Sequence, residues 1–249
     1  MKNIAFAGAI FGCVLNLSAQ LITGFEGFEN GTQVIFRQPG FSGSTSANLD
    51  TAVYNFSGVT NAFPAGNPNS GLNVYNTIFA FKPDLPTPWV RLTSNGAPNL
   101  PNPTISFTAA LSLDIYSDRP VNVALLLRET NTTQPIGGNG GTTGGIEFVG
   151  GVPTGTSKGY LVPANTWTTL MFNIPSEPVT AFAGTTANGT LESTTGNGVL
   201  EALGISVDAN ASGVWNIYLD NIQVIPEPSV FALVGLGAFA FVAWRRQTA

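Results

Sequence analysis

Histidine is missing from this 249-residue chain, and cysteine occurs once, as Cys13. Without histidine there is no Ser–His or Cys–His nucleophile pair, and no His-ligated zinc site. Charge is also scarce. Asp, Glu, Lys and Arg make up 9% of the residues, against about 25% in ordinary soluble domains. The formal charge is −5, and three of the cations, Lys2, Arg245 and Arg246, lie in the end segments. The region between is more acidic still, which leaves no basic surface for phosphates and excludes nucleic acid as a partner. No run reads as an amphipathic helix of ordinary length, and there is no internal repeat.

What the chain does have is glycine, proline, asparagine, serine and threonine, set between short runs of alternating apolar residues. That pattern predicts an all-β sandwich. Leu21 to Gly31 opens the domain, with Asn30-Gly31 as a tight-turn signal. Strands are predicted at 32–37, at 51–56 with Ala52, Tyr54 and Phe56 on one face, and at 72–81. The proline-rich stretch from Lys82 to Trp89 is expected at a sheet edge or in a surface loop.

Two long runs follow, 104–116 and 121–128, joined by Ser117-Asp118-Arg119-Pro120. Ile105, Phe107, Ala109, Leu111, Leu113 and Ile115 share one face of the first; Val121, Val123, Leu125 and Leu127 share one face of the second. They are expected to form a hairpin at the centre of the core. The glycine-crowded stretch 131–159 reads as a flexible hairpin tip around Ile146 to Val149; it lacks the Gly-Lys-Ser/Thr context of a phosphate loop. Further strands are predicted at 166–174, 199–207 and 214–224, with 175–197 as polar loop.

The ends read differently. Lys2 precedes an apolar run from Ile4 to Leu17, then Ser18-Ala19-Gln20, which predicts a secretory signal peptide over 1–19, cut after Ala19. Leu17 is larger than the small residue usual at −3. Cys13 suggests a lipoprotein box, but Phe11 fits poorly two positions earlier and the preceding apolar run is short. If Cys13 leaves with the signal, the remaining domain, 20–225, carries no cysteine. At about 200 residues it can bury one core without disulfides.

The tail, 226–249, holds Pro226-Glu227-Pro228, an uncharged apolar run from Val230 to Trp244, and Arg245-Arg246. The run is apolar on all faces and somewhat shorter than the about 20 residues that cross a bilayer untilted. It predicts a single transmembrane helix whose paired cations stay in the cytoplasm.

This order of parts resembles the PEP-CTERM sorting tail of exported bacterial proteins. The resemblance implies recognition by an exosortase, a membrane cysteine protease that cuts near the motif. It also implies inner-membrane anchoring before processing, then the cell surface or the extracellular space. By the resemblance, Pro226, Glu227, Pro228, Arg245 and Arg246 are the residues expected to carry the sorting function.

The strand Val214-Trp215-Asn216-Ile217-Tyr218-Leu219-Asp220-Asn221-Ile222-Gln223-Val224 resembles the closing strand of carbohydrate-binding-module, galactose-binding-like jelly rolls. Trp167-Thr168-Thr169-Leu170-Met171-Phe172 resembles their earlier Trp-x-x-Leu-x-Phe strand, and Phe25-Glu26 to Gly31 their opening. The resemblance implies a jelly-roll β-sandwich. It also implies a structural Ca²⁺ shared between a first-strand acid, Glu26 or Glu29, and Asp220. Without the ion, Glu29 is a solvated turn residue and Asp220 a loop cap.

Sugar binding in such modules uses exposed aromatic rings beside polar groups. The candidates in or near loops are Trp89, Tyr75, Tyr54 and Tyr160; Trp89 equally suits the covering of a sheet edge, and Trp167 and Trp215 read as core. Glycoside hydrolysis needs only a pair of carboxylates. Asp114, Asp118, Glu129, Glu147, Glu192 and Glu201 are available, but nothing singles out two of them, and no catalysis is expected. The sequence therefore points to an exported, non-catalytic surface or matrix protein that binds polysaccharide. The alternatives are a purely structural matrix protein without a ligand and, third, a glycan-active enzyme.

Overall fold

A computed structural model of the chain describes residues 24–26, 28–29, 36–68, 71–94, 103–129 and 144–226. Two antiparallel sheets face each other. In the first, the strand order is β10 (Thr168–Asn173), β6 (Ala109–Ser117), β13 (Gly213–Pro226), β3 (Val74–Phe81) and β2 (Asn55–Thr60), with β1 (Gly24–Glu26) also paired to β13. In the second it is β11 (Val179–Ala183), β8 (Ile146–Val149), β7 (Val121–Glu129), β12 (Asn197–Ser206) and β4 (Trp89–Thr93). There β5 (Thr104–Ser106) adds to β12 and β9 (Tyr160–Val162) adds to β7. The expected all-β sandwich is what the chain forms.

The core follows from period-two alternation. Leu111, Leu113 and Ile115 of β6 face Val121, Val123, Leu125 and Leu127 of β7 across one buried cluster. Trp215 of β13 joins them, its ring 5.1 Å from Phe81 and 6.5 Å from Phe79. A second, smaller cluster lies around Leu126, which alternates with the inward Leu125 and Leu127. It comprises Trp89, Ile146, Phe148 and Ala202 with Phe182 against them, so the outer side of the second sheet is partly covered. Turn geometry is strict at Gly159, where φ is +107° and a Cβ would stand 2.2 Å from the Val123 carbonyl oxygen.

The structure corrects the expected β6–β7 hairpin. Both strands are central, but β6 pairs with β10 and β13, whereas β7 pairs with β12, β8 and β9. The residues between them cross from one sheet to the other. The cause is visible in the turn. The Asp118 carboxylate accepts the Asn216 N–H at 3.0 Å, and the Arg119 guanidinium lies 3.9 Å from the Trp215 ring centroid while donating to the Ser212 carbonyl at 2.8 Å. Asp118 and Arg119 thus tie the turn to β13 rather than closing it on itself.

Other differences are smaller. The run predicted at 51–56 is turn as far as Val53, with the strand shifted to β2, because Asn55 through Thr60 pair with Phe79 through Val74. The predicted polar loop 175–197 contains β11. Trp89 opens β4, an edge strand, after the proline-rich loop. Of the strand predicted at 32–37, Phe36 forms an isolated bridge with Ser94. Among the described residues no helix is long and apolar enough to cross a membrane. The expected signal peptide, the tail beyond Pro226 and residues 131–143 lie outside the described residues.

Candidate functional site

The outer face of the first sheet collects the polar and aromatic residues that alternate with its core positions. Register aligns them in rows across the strands. Gly58 pairs with Asn76, Asn76 with Tyr218, and Tyr218 with Tyr116. Thr168 pairs with Ile115, which brings Trp167 beside Tyr116. Three partly exposed rings therefore stand on neighbouring strands: Tyr218 and Tyr116 with centroids 6.0 Å apart, and Tyr116 and Trp167 5.8 Å apart. Successive strands are about 4.8 Å apart, so the ring spacing follows from their places on adjacent strands.

Hydrogen bonds hold each ring. Asn76 donates to the Asn216 side-chain oxygen at 2.6 Å, and Asn216 donates to the Tyr218 hydroxyl at 3.0 Å. The Tyr116 hydroxyl donates to Asn165 at 3.1 Å, and the Trp167 indole N–H donates to the Pro64 carbonyl at 3.0 Å. Phe63 meets Trp167 edge-on at 6.4 Å. Rings fixed in this way present aromatic surface without a further ordering cost on binding.

Beside the ring row runs an acidic one. Asp220 and Asp114 are directly opposed on β13 and β6, 2% and 1% exposed. Asp114 accepts from the Thr169 hydroxyl at 2.5 Å and from Asn221 at 3.4 Å. Asp220 accepts from Asn67 at 2.7 Å and from the Asn221 backbone N–H at 2.7 Å. Burial raises the Asp220 carboxyl above its ordinary range; the nearby charges of Asp114 and Glu29 push the same way, against its hydrogen bonds.

Glu29 is also held by backbone. Its two oxygens accept the N–H groups of Leu72 and Asn73 at 2.9 and 3.3 Å. Of the residues nominated for calcium, Glu29 is close enough for its charge to act on Asp220, as does that of Asp114, an acid that sequence reasoning assigned elsewhere. Glu26 contributes its backbone to the β1–β13 pairing opposite Ile222. The donors are hard oxygens, as Ca²⁺ requires, but each carboxylate oxygen already accepts an N–H or O–H. Among the described residues, no three acidic, cysteine or histidine side chains are arranged to hold a metal ion.

The nominated ligand aromatics separate. Tyr75 is 0% exposed, between Phe28 and Phe36, and Trp89 is 7% exposed, between Phe148 and Phe182. Neither offers a ring face to a ligand, because each sits on a strand flanked by other rings. Tyr54 and Tyr160 are 47% and 37% exposed, Tyr54 in the segment before β2 and Tyr160 at the start of β9, and neither belongs to the ring row. Trp215 is core as expected, whereas Trp167 is not: it precedes β10 on the outward side. The missed residues were Tyr116 and Tyr218. Their outward parity was legible in the alternation of β6 and β13; their adjacency depended on which strands pair.

The remaining acids hold structure. Glu201 bridges Arg91 at 2.5 Å and Arg128 at 2.8 Å. The buried Glu147 accepts the N–H groups of Asn188 and Gly189 at 2.7 and 3.2 Å, and the buried Glu129 accepts that of Glu192. Burial raises the Glu129 carboxyl, opposed by its bond from Glu192 and aided by the charges of Glu147 and Glu192.

A family model described as the PEP-CTERM protein-sorting motif matches residues 224–247. The chain carries a PEP-CTERM sorting motif. The match starts inside β13, where Val224, Ile225 and Pro226 still pair with Leu111, Ala110 and Ala109. No curated protein matches the chain. Among solved structures, a carbohydrate-binding module of the β-sandwich superfamily is 13% identical with a TM-score of 0.42, covering 82% of this chain and 62% of its own. This chain thus spans less than two thirds of that structure.

The family 11 carbohydrate-binding module from Clostridium thermocellum, in complex with a β-1,3-1,4-mixed-linked tetrasaccharide, is 18% identical. Its TM-score is 0.38, over 78% of this chain and 97% of its own. A family 30 carbohydrate-binding module is 12% identical, TM-score 0.42, over 80% and 88%. At these identities and scores the likenesses bear on neither ligand nor chemistry.

Proposed function

We propose that this is an exported, non-catalytic protein that binds polysaccharide through the outer face of its first sheet. The observation that carries the reading is the fixed row Tyr218–Tyr116–Trp167 beside Asn76, Asn216 and Asn165. Aromatic rings take the C–H faces of sugars, and the flanking amides of Asn216 and Asn165 meet hydroxyls, while the buried Asn76 holds Asn216 in place. The sorting motif supplies the address: export, membrane attachment through the tail, then exosortase processing that leaves the protein at the cell surface or outside. A calcium ion shared by Glu29 and Asp220 is a secondary part of the proposal; it would displace the present donors of both carboxylates and take its remaining ligands from backbone carbonyls.

A glycan array probed with the full-length chain in mild detergent tests this. Selective binding is expected, weakened at least about tenfold, or ~1.4 kcal/mol, by Tyr116→Ala or Trp167→Ala. Binding to nothing on a broad array, or binding indifferent to both substitutions, favours a purely structural matrix protein. For processing, the pairing of Pro226 with Ala109 predicts that cleavage at the motif works against the sheet. Inserting a short Gly-Ser linker before Pro226 should speed it, read by mass spectrometry of the mature C-terminus; an unchanged rate argues against a steric limit.

A further inference from the structure

Positive charge in the described sandwich is almost entirely engaged. Arg91 and Arg128 pair with Glu201. Arg119 donates to carbonyls over Trp215. Lys82 and Lys158 donate to the Ala47 and Val207 carbonyls at 3.0 and 2.7 Å. Arg37 is the exception among the described residues. Its backbone N–H bonds the Thr93 carbonyl at 2.8 Å, but its guanidinium has no hydrogen bond and no acid. It lies 4.9 Å from the Phe41 ring centroid, and its Nε is buried without a partner.

The surroundings form a depression of about 270 Å³ lined by Arg37, Gln38, Gly40, Phe41 and Asn55. Asn55 is held by its side-chain oxygen, which accepts the Gly40 N–H at 2.7 Å, so its NH₂ keeps both donors. A Cβ at Gly40 would stand 3.0 Å from that amide, so glycine is what lets the turn close on Asn55. Phe41 is 57% exposed. One flattened cation, unused amide donors and an exposed ring thus converge on a space of monosaccharide size.

We propose that this depression binds a carboxylate-bearing sugar unit, a uronic acid, with Arg37 meeting the carboxylate and Phe41 the C–H face of the ring. A guanidinium matches a carboxylate with two parallel N–H bonds. A single charge suits it better than a doubly charged phosphate, since no second cation lines the space and the chain is acidic overall. The amides of Asn55 and Gln38 supply donors and acceptors for hydroxyls. The site is separate from the Tyr116 row and stands without it.

The test is heteronuclear NMR or calorimetric titration of the full-length chain in detergent with sodium glucuronate, glucose and sulfate. Glucuronate is expected to bind in the millimolar range, about −4 kcal/mol, and glucose at least about tenfold more weakly. Arg37→Gln should lose that difference, Arg37→Lys should keep only part of it, and Tyr116→Ala should leave it unchanged. Phe41→Ala should weaken both sugars while leaving the melting temperature in place. Equal binding by wild type and Arg37→Gln overturns the proposal, as does no saturable glucuronate binding up to about 20 mM. Sulfate binding as tightly as glucuronate overturns the sugar part and leaves a plain anion site.

Discussion

Replacing Asp220 with asparagine removes one of two carboxylates that oppose each other across β13 and β6, both all but inaccessible to water. Directly opposed side chains on antiparallel strands have Cβ atoms about 5 Å apart. Two unit charges at that spacing repel by about 3 kcal/mol at an effective dielectric of about 20. Asparagine keeps one oxygen for Asn67 or the Asn221 N–H and weakens the other contact, a loss of about 1 kcal/mol. The net gain is about 2 kcal/mol, which for a domain of this size raises the melting temperature by roughly 4–8 °C.

The pH dependence carries the same sign. The folded Asp220 carboxyl is raised, first by burial and then by Asp114 and Glu29. A raised acid binds its proton more tightly in the folded state. Its contribution to stability is present at low pH and is lost as pH rises from the unfolded value, about 4, through the raised folded one. The advantage of Asp220→Asn is therefore largest at pH 7 and shrinks on acidification. Thermal unfolding by circular dichroism or calorimetry, in EDTA, at neutral and mildly acidic pH, reads both effects. A lower melting temperature for Asp220→Asn in EDTA would refute the reasoning, because the hydrogen bonds of the carboxylate would then outweigh the repulsion. Adding Ca²⁺ extends the test: a bound ion raises the wild-type melting temperature and leaves the variant unmoved, whereas no wild-type shift removes the calcium.

Glu201→Ala should cost about 3–5 kcal/mol, since it leaves the Arg91 and Arg128 guanidinium groups unpaired in a partly buried site; urea unfolding checks it, and a loss under about 1 kcal/mol would contradict it. Glu147→Ala removes the acceptor of the Asn188 and Gly189 N–H groups, so hydrogen exchange across 184–196 should quicken before the rest of the sandwich responds. Tyr160 donates to Glu177 at 2.6 Å, which with some burial pushes its phenol up to about 12. Ultraviolet titration should show one late-ionising tyrosine that Glu177→Gln returns toward the ordinary value of about 10; no change on that substitution removes the hydrogen bond as the cause.

Local pattern was enough for the class of fold, the positions of its longest strands and the inward faces of β6 and β7. These follow from alternation and turn residues, which act within a few positions of one another. It was also enough for the sorting motif, whose prolines, apolar run and cations are contiguous. Partner choice between strands was not legible. Ser117 to Pro120 has the composition of a hairpin turn, yet Asp118 and Arg119 bond to β13, about a hundred residues further on, and the turn changes sheets.

The candidate site depended on that outcome. Parity placed Tyr116 and Tyr218 outward, but only the pairing of β6 with β13 and β10 set them beside each other and beside Trp167. The same pairing opposed Asp114 to Asp220, acids separated by about half of the domain in sequence. Tyr75 and Trp89 went the other way: an aromatic residue next to loop-forming neighbours reads as exposed until the sheets close over it. Composition excluded histidine chemistry from the outset, because no arrangement of strands can supply a missing side chain. Which of the residues present come to share a surface was decided by long-range strand pairing, whose energy lies in contacts between segments that carry no mark of each other.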